Sequence, residues 1–137
     1  MVNQVNLPAI EDFINHGFED VAISYLDERN QKGLLPKIFH PFQNYKVDNS
    51  KLGRFIEINA ISDSLDGASL IATETKFRNK DVSLEKLEHL KEDVSIFKEN
   101  YENIYYFLFS KTSFSKELLD LRVPNVELVS LNKMMDV

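Results

Sequence analysis

Gly53-Arg-Phe-Ile-Glu-Ile-Asn-Ala-Ile61 and, after a short polar break, Leu70-Ile-Ala-Thr-Glu-Thr-Lys-Phe-Arg78 decide how this chain folds. In the first stretch Ile56, Ile58 and Ala60 alternate with Phe55, Glu57, Asn59 and Ile61, the period of two that a strand imposes. Residues 62–67, Ser-Asp-Ser-Leu-Asp-Gly, are turn formers. In the second stretch Leu70, Ala72, Glu74 and Lys76 share one face. A carboxylate and an ammonium two residues apart at a strand end suit a cation site. The carboxylate holds a hard cation, and the lysine positions or activates an attacking water.

Outward from this hairpin, the periodicity changes. Residues 8 to about 28 read as a helix with Pro8 in its first turn. Ile10, Phe13, Ile14, Val21, Ala22 and Tyr25 form its apolar stripe, and Glu19, Ile23 and Leu26 a second, narrower row. Gly17 weakens the middle, and Asn30-Gln31-Lys32-Gly33 ends the helix. Residues 34–41 hold two prolines and read as a connector. Residues 42–47 predict an edge-like first strand, followed by a turn at Asp48-Asn49-Ser50.

Beyond the hairpin, Ser83 is placed to cap a helix, with Glu85 in its first turn. Leu84, Leu87, Leu90, Val94 and Phe97 mark the buried face of that helix, which runs to about residue 99. Residues 104–109 are an unbroken apolar and aromatic run, expected of a strand covered on both faces. The same continuity makes Tyr101, Tyr105, Tyr106, Phe107 and Phe109 core residues rather than a base-stacking platform. Ser113 or Ser115 caps a short helix through Leu121. Pro124-Asn125 turns the chain into a last strand at Val126, Leu128 and Leu131, and residues 134–137 are expected to fray. The order helix, strand, strand, strand, helix, strand, helix, strand implies an α/β layered fold with a mixed sheet.

Composition limits what such a fold can do. The 137 residues show no internal repeat, are 43% hydrophobic and 28% charged, and predict one domain, 1–137, with its own core. There is no apolar run of about 18 residues, no basic-then-apolar leader, and no cysteine, so the expected home is cytoplasmic, with no membrane partner. The formal charge of −6 is opposite to that of most nucleic-acid binders. Local basic groups exist at Lys76, Arg78 and Lys80, and at Lys37, His40, Lys46, Lys51 and Arg54; a solvated face accounts for them. His16, His40 and His89 lack metal-ligand spacing. Ser110 and Ser113 lack the glycine frame of a nucleophile elbow.

Four segments carry a family resemblance: Phe18-Glu19, Glu57-Ile58-Asn59, Glu74-Thr75-Lys76 and Leu108-Phe109-Ser110-Lys111-Thr112-Ser113-Phe114. Their order resembles the PD-(D/E)XK nuclease-like superfamily. More closely, it resembles the C-terminal domain of unknown function attached to prokaryotic, archaeal-type DEXX-box ATPases. The resemblance implies a restriction-endonuclease-like three-layer fold, with a mixed central sheet flanked by helices. It implies a site of Glu74, Lys76, Glu57, Asn59 and Glu19, converging in one cleft, with Mg²⁺ or Mn²⁺ held weakly or not at all by Glu74, Glu57 and Asn59. DNA is one implied partner, and an attached ATPase domain or a second copy the other.

Asn59 stands where the family pattern has a metal-binding Asp, and an amide brings no charge to a hard cation. Glu57 is two residues earlier, about 6–7 Å along the strand. The chain has no Gly-x-x-x-x-Gly-Lys-[Ser/Thr] motif, so on this reading the nucleotide-binding part lies elsewhere. Two classes of function follow: a catalytically weakened nucleic-acid-processing or sensing module, and a non-catalytic docking or dimerisation domain.

Overall fold

The computed structural model describes residues 7–49, 53–76 and 80–135. Its elements are α1 (Leu7–Gln31), β1 (Gln43–Asn49), β2 (Arg54–Asp63), β3 (Ser69–Lys76), α2 (Leu84–Val94), β4 (Asn103–Ser110), α3 (Lys116–Leu121), β5 (Val126–Ser130) and α4 (Leu131–Met135), with a 3₁₀ turn at Ser95–Asn100 after α2. The five strands form one sheet in the order β1-β2-β3-β4-β5. The first two pairings are antiparallel and the last two parallel, so the sheet is mixed. Among the described residues no helix is long and apolar enough to cross a membrane.

Two apolar clusters sandwich the sheet. On one face Phe18, Ala22 and Leu26 of α1 and Met134 of α4 meet Ile71, Phe107, Phe109 and Val129. On the other, Leu87, Leu90 and Val94 of α2 and Leu118 of α3 meet Ile56, Ile58, Leu70, Ala72, Tyr106 and Leu108. The run 104–109 therefore faces helices on both sides, as its lack of alternation requires. The layering is helix, sheet, helix.

Several sequence expectations shift by a register. The buried row of α1 is Phe18, Ala22 and Leu26, at a spacing of four, with Ile23 and Tyr25 on its flanks. Val21 faces outward at 41% exposure. The side chains of Ile10, Phe13 and Ile14 lie outside the described residues, as do Ser50, Lys51 and Arg78. Gly17 does not divide the helix, and a Cβ there would meet nothing within 4 Å. Gly33, at φ +71°, ends it in the left-handed conformation that glycine accepts without a steric cost.

The α2 helix stops at Val94 and tightens into the 3₁₀ turn that carries Phe97. Ser83 is its N-cap residue but makes no side-chain cap bond, whereas Ser115 caps α3 by accepting from the Leu118 amide. Leu131 begins α4 rather than extending β5. Met134, expected to fray, is 6% exposed because α4 folds it back onto the α1-side cluster.

The largest departure is in β2. Against β1, Tyr45 faces Ile58 and Gln43 faces Ile61, so two steps of one strand span three of the other. The extra residue is a β-bulge between Ile58 and Ile61. It breaks the expected alternation: Ile56 and Ile58 face α2, Ala60 faces α1, and Ile61 packs toward α2 again. Ile58, Asn59 and Ala60 are buried in succession, which a regular half-covered strand forbids.

The connector 34–42 is tied to α1 by polar side chains. Asn30 Oδ1 accepts from the Phe39 amide at 2.9 Å while its Nδ2 donates to the Phe39 carbonyl at 2.8 Å. That clamp seats Phe39 and Phe42 in the core. Replacing it with Asn30→Ala leaves both Phe39 backbone groups without these partners, and should cost about 1–3 kcal/mol in urea denaturation. Fully buried Leu90→Ala should cost about 2–5 kcal/mol. Leu119→Ala, at 50% exposure, should change stability by under about 0.5 kcal/mol.

Candidate active site

The β2–β3 ladder runs from Asp63 opposite Leu70 to Ala60 opposite Thr73. Just past its last rung, the Asn59 side chain takes over the bridging. Its Oδ1 accepts from the Thr75 amide at 2.8 Å and from Thr75 Oγ1 at 3.1 Å. An amide N–H only donates, so the Asn59 atom facing it is the oxygen, and Nδ2 lies on the other side. That nitrogen donates to Glu19 Oε1 at 3.2 Å. One carboxamide, 8% exposed, thus fastens α1, β2 and β3 together where the two strands part.

Glu74 and Lys76 leave the carboxyl end of β3 on the α2 side, the side taken by Leu70 and Ala72. Lys76 Nζ lies 3.1 Å from Glu74 Oε1. Burial pushes the Glu74 carboxyl above its ordinary value, opposed first by Lys76 and then by His89 and Lys86. Those last two come from α2, which forms the far wall of a cleft of about 340 Å³.

A charged group braces that wall. Arg54 Nη1 lies 2.6 Å from His89 Nε2, and Nη2 lies 2.5 Å from Asp93 Oδ1 and 3.4 Å from Glu92. A guanidinium has no acceptor, so His89 must offer the Nε2 lone pair and carry its proton on Nδ1. Nδ1 faces Asp93 Oδ2 at 3.5 Å. The Arg54–Asp93 contact is close but misaligned, a meeting of charges rather than a directed hydrogen bond. Desolvation raises the Asp93 carboxyl, with His89 and Arg54 acting against it.

Of the residues that the sequence nominates, Asn59, Glu19, Glu74 and Lys76 line this cleft. Glu57 lines it too, on the α1 face of the sheet with Asn59 and Glu19 and opposite Glu74 and Lys76, since Ile56 and Ile58 on either side of it point toward α2. There it pairs with Lys46 at 3.6 Å and accepts from Asn44 Nδ2 at 3.4 Å. Thr75, Lys86, His89 and Asp93 are the members that sequence reading passed over. The last three fall at i, i+3 and i+7 on α2, a polar stripe at helical spacing that could have marked them as one face.

A divalent cation does not fit this donor set. Both Asn59 Oδ1 lone pairs are engaged by Thr75, and Glu57 is paired with Lys46. Among the described residues no three His, Cys, Asp or Glu side chains gather to hold a metal ion. What the cleft offers instead is two buried carboxylates, Glu74 and Asp93, beside the cations Lys76, Lys86 and Arg54.

No family model matches the chain, and no curated protein matches it. Among solved structures, a protein of unknown function, AF1548, is 16% identical, with a TM-score of 0.52 over 87% of this chain and 65% of its own. A repair endonuclease from Pyrococcus abyssi (19% identical, TM-score 0.49) aligns with 82% of this chain and 45% of that one. The DNA modification-dependent restriction endonuclease AspBHI (17%, TM-score 0.45) aligns with 86% and 29%. The chain therefore spans less than two thirds of the length of each of these proteins. The likeness to AF1548 is one of fold: a mixed sheet with helices on both faces.

Proposed function

We propose that this chain is a nuclease-like domain whose cation site has been disabled at Asn59, and that it serves as a nucleic-acid-processing or sensing module beside a DEXX-box ATPase. The ATPase would be attached in the same protein or be a separate partner. The observation that carries this reading is the double engagement of Asn59 Oδ1 by Thr75, together with the donation of its amide to Glu19. Those bonds occupy the position where the resembling family has a charged ligand. The Glu74–Lys76 pair is retained beside it at 3.1 Å. Phosphodiester cleavage needs charge offset on the phosphoryl oxygens, and without a cation only Lys76 and its neighbours supply it. Hydrolysis by the domain is accordingly slow or absent. A second reading, a docking or self-associating domain without nucleic acid, is favoured by the net charge of −6.

Asn59→Asp separates these. It keeps the acceptor for Thr75 but sets a carboxylate in place of the amide that lies 3.2 Å from Glu19. At an effective dielectric of about 20, that repulsion is about 5 kcal/mol before relaxation. The variant should therefore unfold at a lower temperature than wild type, and Mn²⁺ or Mg²⁺ should restore its Tm while leaving the wild type unmoved. On plasmid and single-stranded DNA with Mn²⁺, Asn59→Asp should cut faster than wild type, and adding Lys76→Ala should abolish the gain. Cutting by wild type that survives Lys76→Ala would remove the site assignment. A variant that binds metal yet cuts nothing favours the docking reading.

Without a cation, the buried Glu74 carboxylate is incompletely offset. Its folded-state pKa lies above the ordinary 4.5, so the folded chain holds this proton more tightly than the unfolded chain does. Its contribution to stability is greatest below 4.5 and declines as pH rises through the folded value. Glu74→Gln cannot ionise and should melt higher than wild type at neutral pH. The difference should close as the pH is lowered to 4.5, as followed by thermal melts across that range. Equal melting temperatures throughout would mean that Lys76 offsets the burial fully.

A further inference from the structure

A smaller cavity, of about 270 Å³, lies on the α2 side of the sheet where β1 begins and β2 ends, at the opposite end of β3 from Glu74 and Lys76. The bulge in β2 returns Ile61 to this side, paired with Gln43, and Ile61 lines the cavity. The 3₁₀ turn after α2 supplies Phe97, and Tyr101 follows directly at the end of that turn. Its volume is room for a small headgroup rather than for a drug-sized body. Nothing in the nuclease-like reading uses it.

Three half-buried rings line it, Tyr45, Phe97 and Tyr101. The centroids of Tyr45 and Phe97 are 5.3 Å apart with the ring planes at 69°, so the two form a corner rather than a stack. Among the described residues no cation of the chain sits over any of the three; Arg29 lies over Tyr25 and Lys91 over Tyr106. The lining has no lysine or arginine. Its carboxylate is Asp63, which makes no ion pair among the described residues, and its one imidazole is the exposed His40. The Tyr101 hydroxyl hydrogen-bonds to Asp63, and burial first, then that carboxylate, push its pKa above the ordinary value, so it stays neutral. A slot walled by rings and carrying one carboxylate has the charge pattern that attracts a cation.

We propose that this cavity binds a quaternary ammonium head, seated in the corner of Tyr45 and Phe97 with Tyr101 as the third wall and Asp63 offsetting its charge. A quaternary head has no N–H, so it asks for no directed hydrogen bond from the carboxylate that Tyr101 already meets. It is also weakly hydrated, so entering a ring-lined slot costs it less than it would cost a metal ion or a primary ammonium. The site is independent of Asn59, Glu74 and Lys76, which line the cleft at the other end of β3.

The test is a titration of the isotope-labelled full chain with choline, and with its uncharged isostere 3,3-dimethylbutan-1-ol as control, read by backbone amide shifts and calorimetry. Choline should saturate at about millimolar concentration or below and move the amides of Tyr45, Ile61, Asp63, Phe97 and Tyr101, and the alcohol should bind at least about tenfold more weakly. The amide of Nε-trimethyllysine carries the same head on a side-chain tail. Whichever of the two saturates first shows whether the head comes on a free small molecule or on a protein, and either supports the site. Phe97→Leu keeps an apolar side chain but removes the ring, and should weaken choline about tenfold while leaving the alcohol unchanged. Asp63→Asn removes the charge with little change of shape and should do the same, which keeps the test intact if Phe97→Leu does not fold. Non-saturating binding, equal affinity for choline and the alcohol in wild type, choline binding unmoved by Asp63→Asn, or shifts centred on Glu74 and Lys76 would overturn the proposal.

Discussion

The site end of this molecule depends on one buried amide. Asn59 makes bonds of both polarities, accepting from β3 and donating to α1, which its carboxamide does without carrying a charge. Its three bonds span sequence separations of 16 and 40 residues, so it ties together parts of the chain that the backbone ladder leaves apart. A carboxylate in its place would satisfy Thr75 equally well but would confront Glu19 with like charge. The neutral amide is therefore what lets the junction close as a purely protein structure.

Charge is distributed unevenly around that junction. The chain is acidic overall, and at the cleft Lys76, Lys86 and Arg54 stand among four carboxylates, Glu19, Glu57, Glu74 and Asp93. Most of the other ion pairs, such as Lys32–Glu28 and Lys37–Asp66, join side chains about half exposed, where the attraction is screened and worth little. The exception is Arg54 with Asp93, whose carboxylate is nearly removed from solvent at 2% exposure. Breaking a buried pair of that kind leaves a stranded charge, so it fixes the position of α2 against β2 more firmly than the surface pairs fix anything.

Much of this was legible in the sequence, and for identifiable reasons. The hairpin, the doubly covered run at 104–109 and the crossover helix each have a hydrophobic period that admits one reading, and the element order follows from them. The placement of Glu57 relative to Glu74 was not legible. Period-two reasoning rightly puts Glu57 and Asn59 on one face, the α1 side, but it does not reveal that Glu74 and Lys76 leave β3 on the opposite side of the sheet. Arg54 and His89 were equally hidden, because an arginine–histidine contact across 35 positions leaves no spacing signal. Met134 looked like a loose end because its burial comes from the chain doubling back after β5, which a four-residue window does not reveal.

The bulge also gives β2 one place where its length can change without loss of phase. A one-residue deletion between Ile58 and Ile61 would restore the two-residue rhythm against β1, and Ile56, Ile58 and Ile61 would all still face α2. What it would remove is one of the two consecutive residues that face α1: the Asn59 carboxamide that joins Thr75 to Glu19, or the Ala60 contact with the α1-side cluster. Elsewhere in the strand a residue added or removed would turn one packed face toward the other.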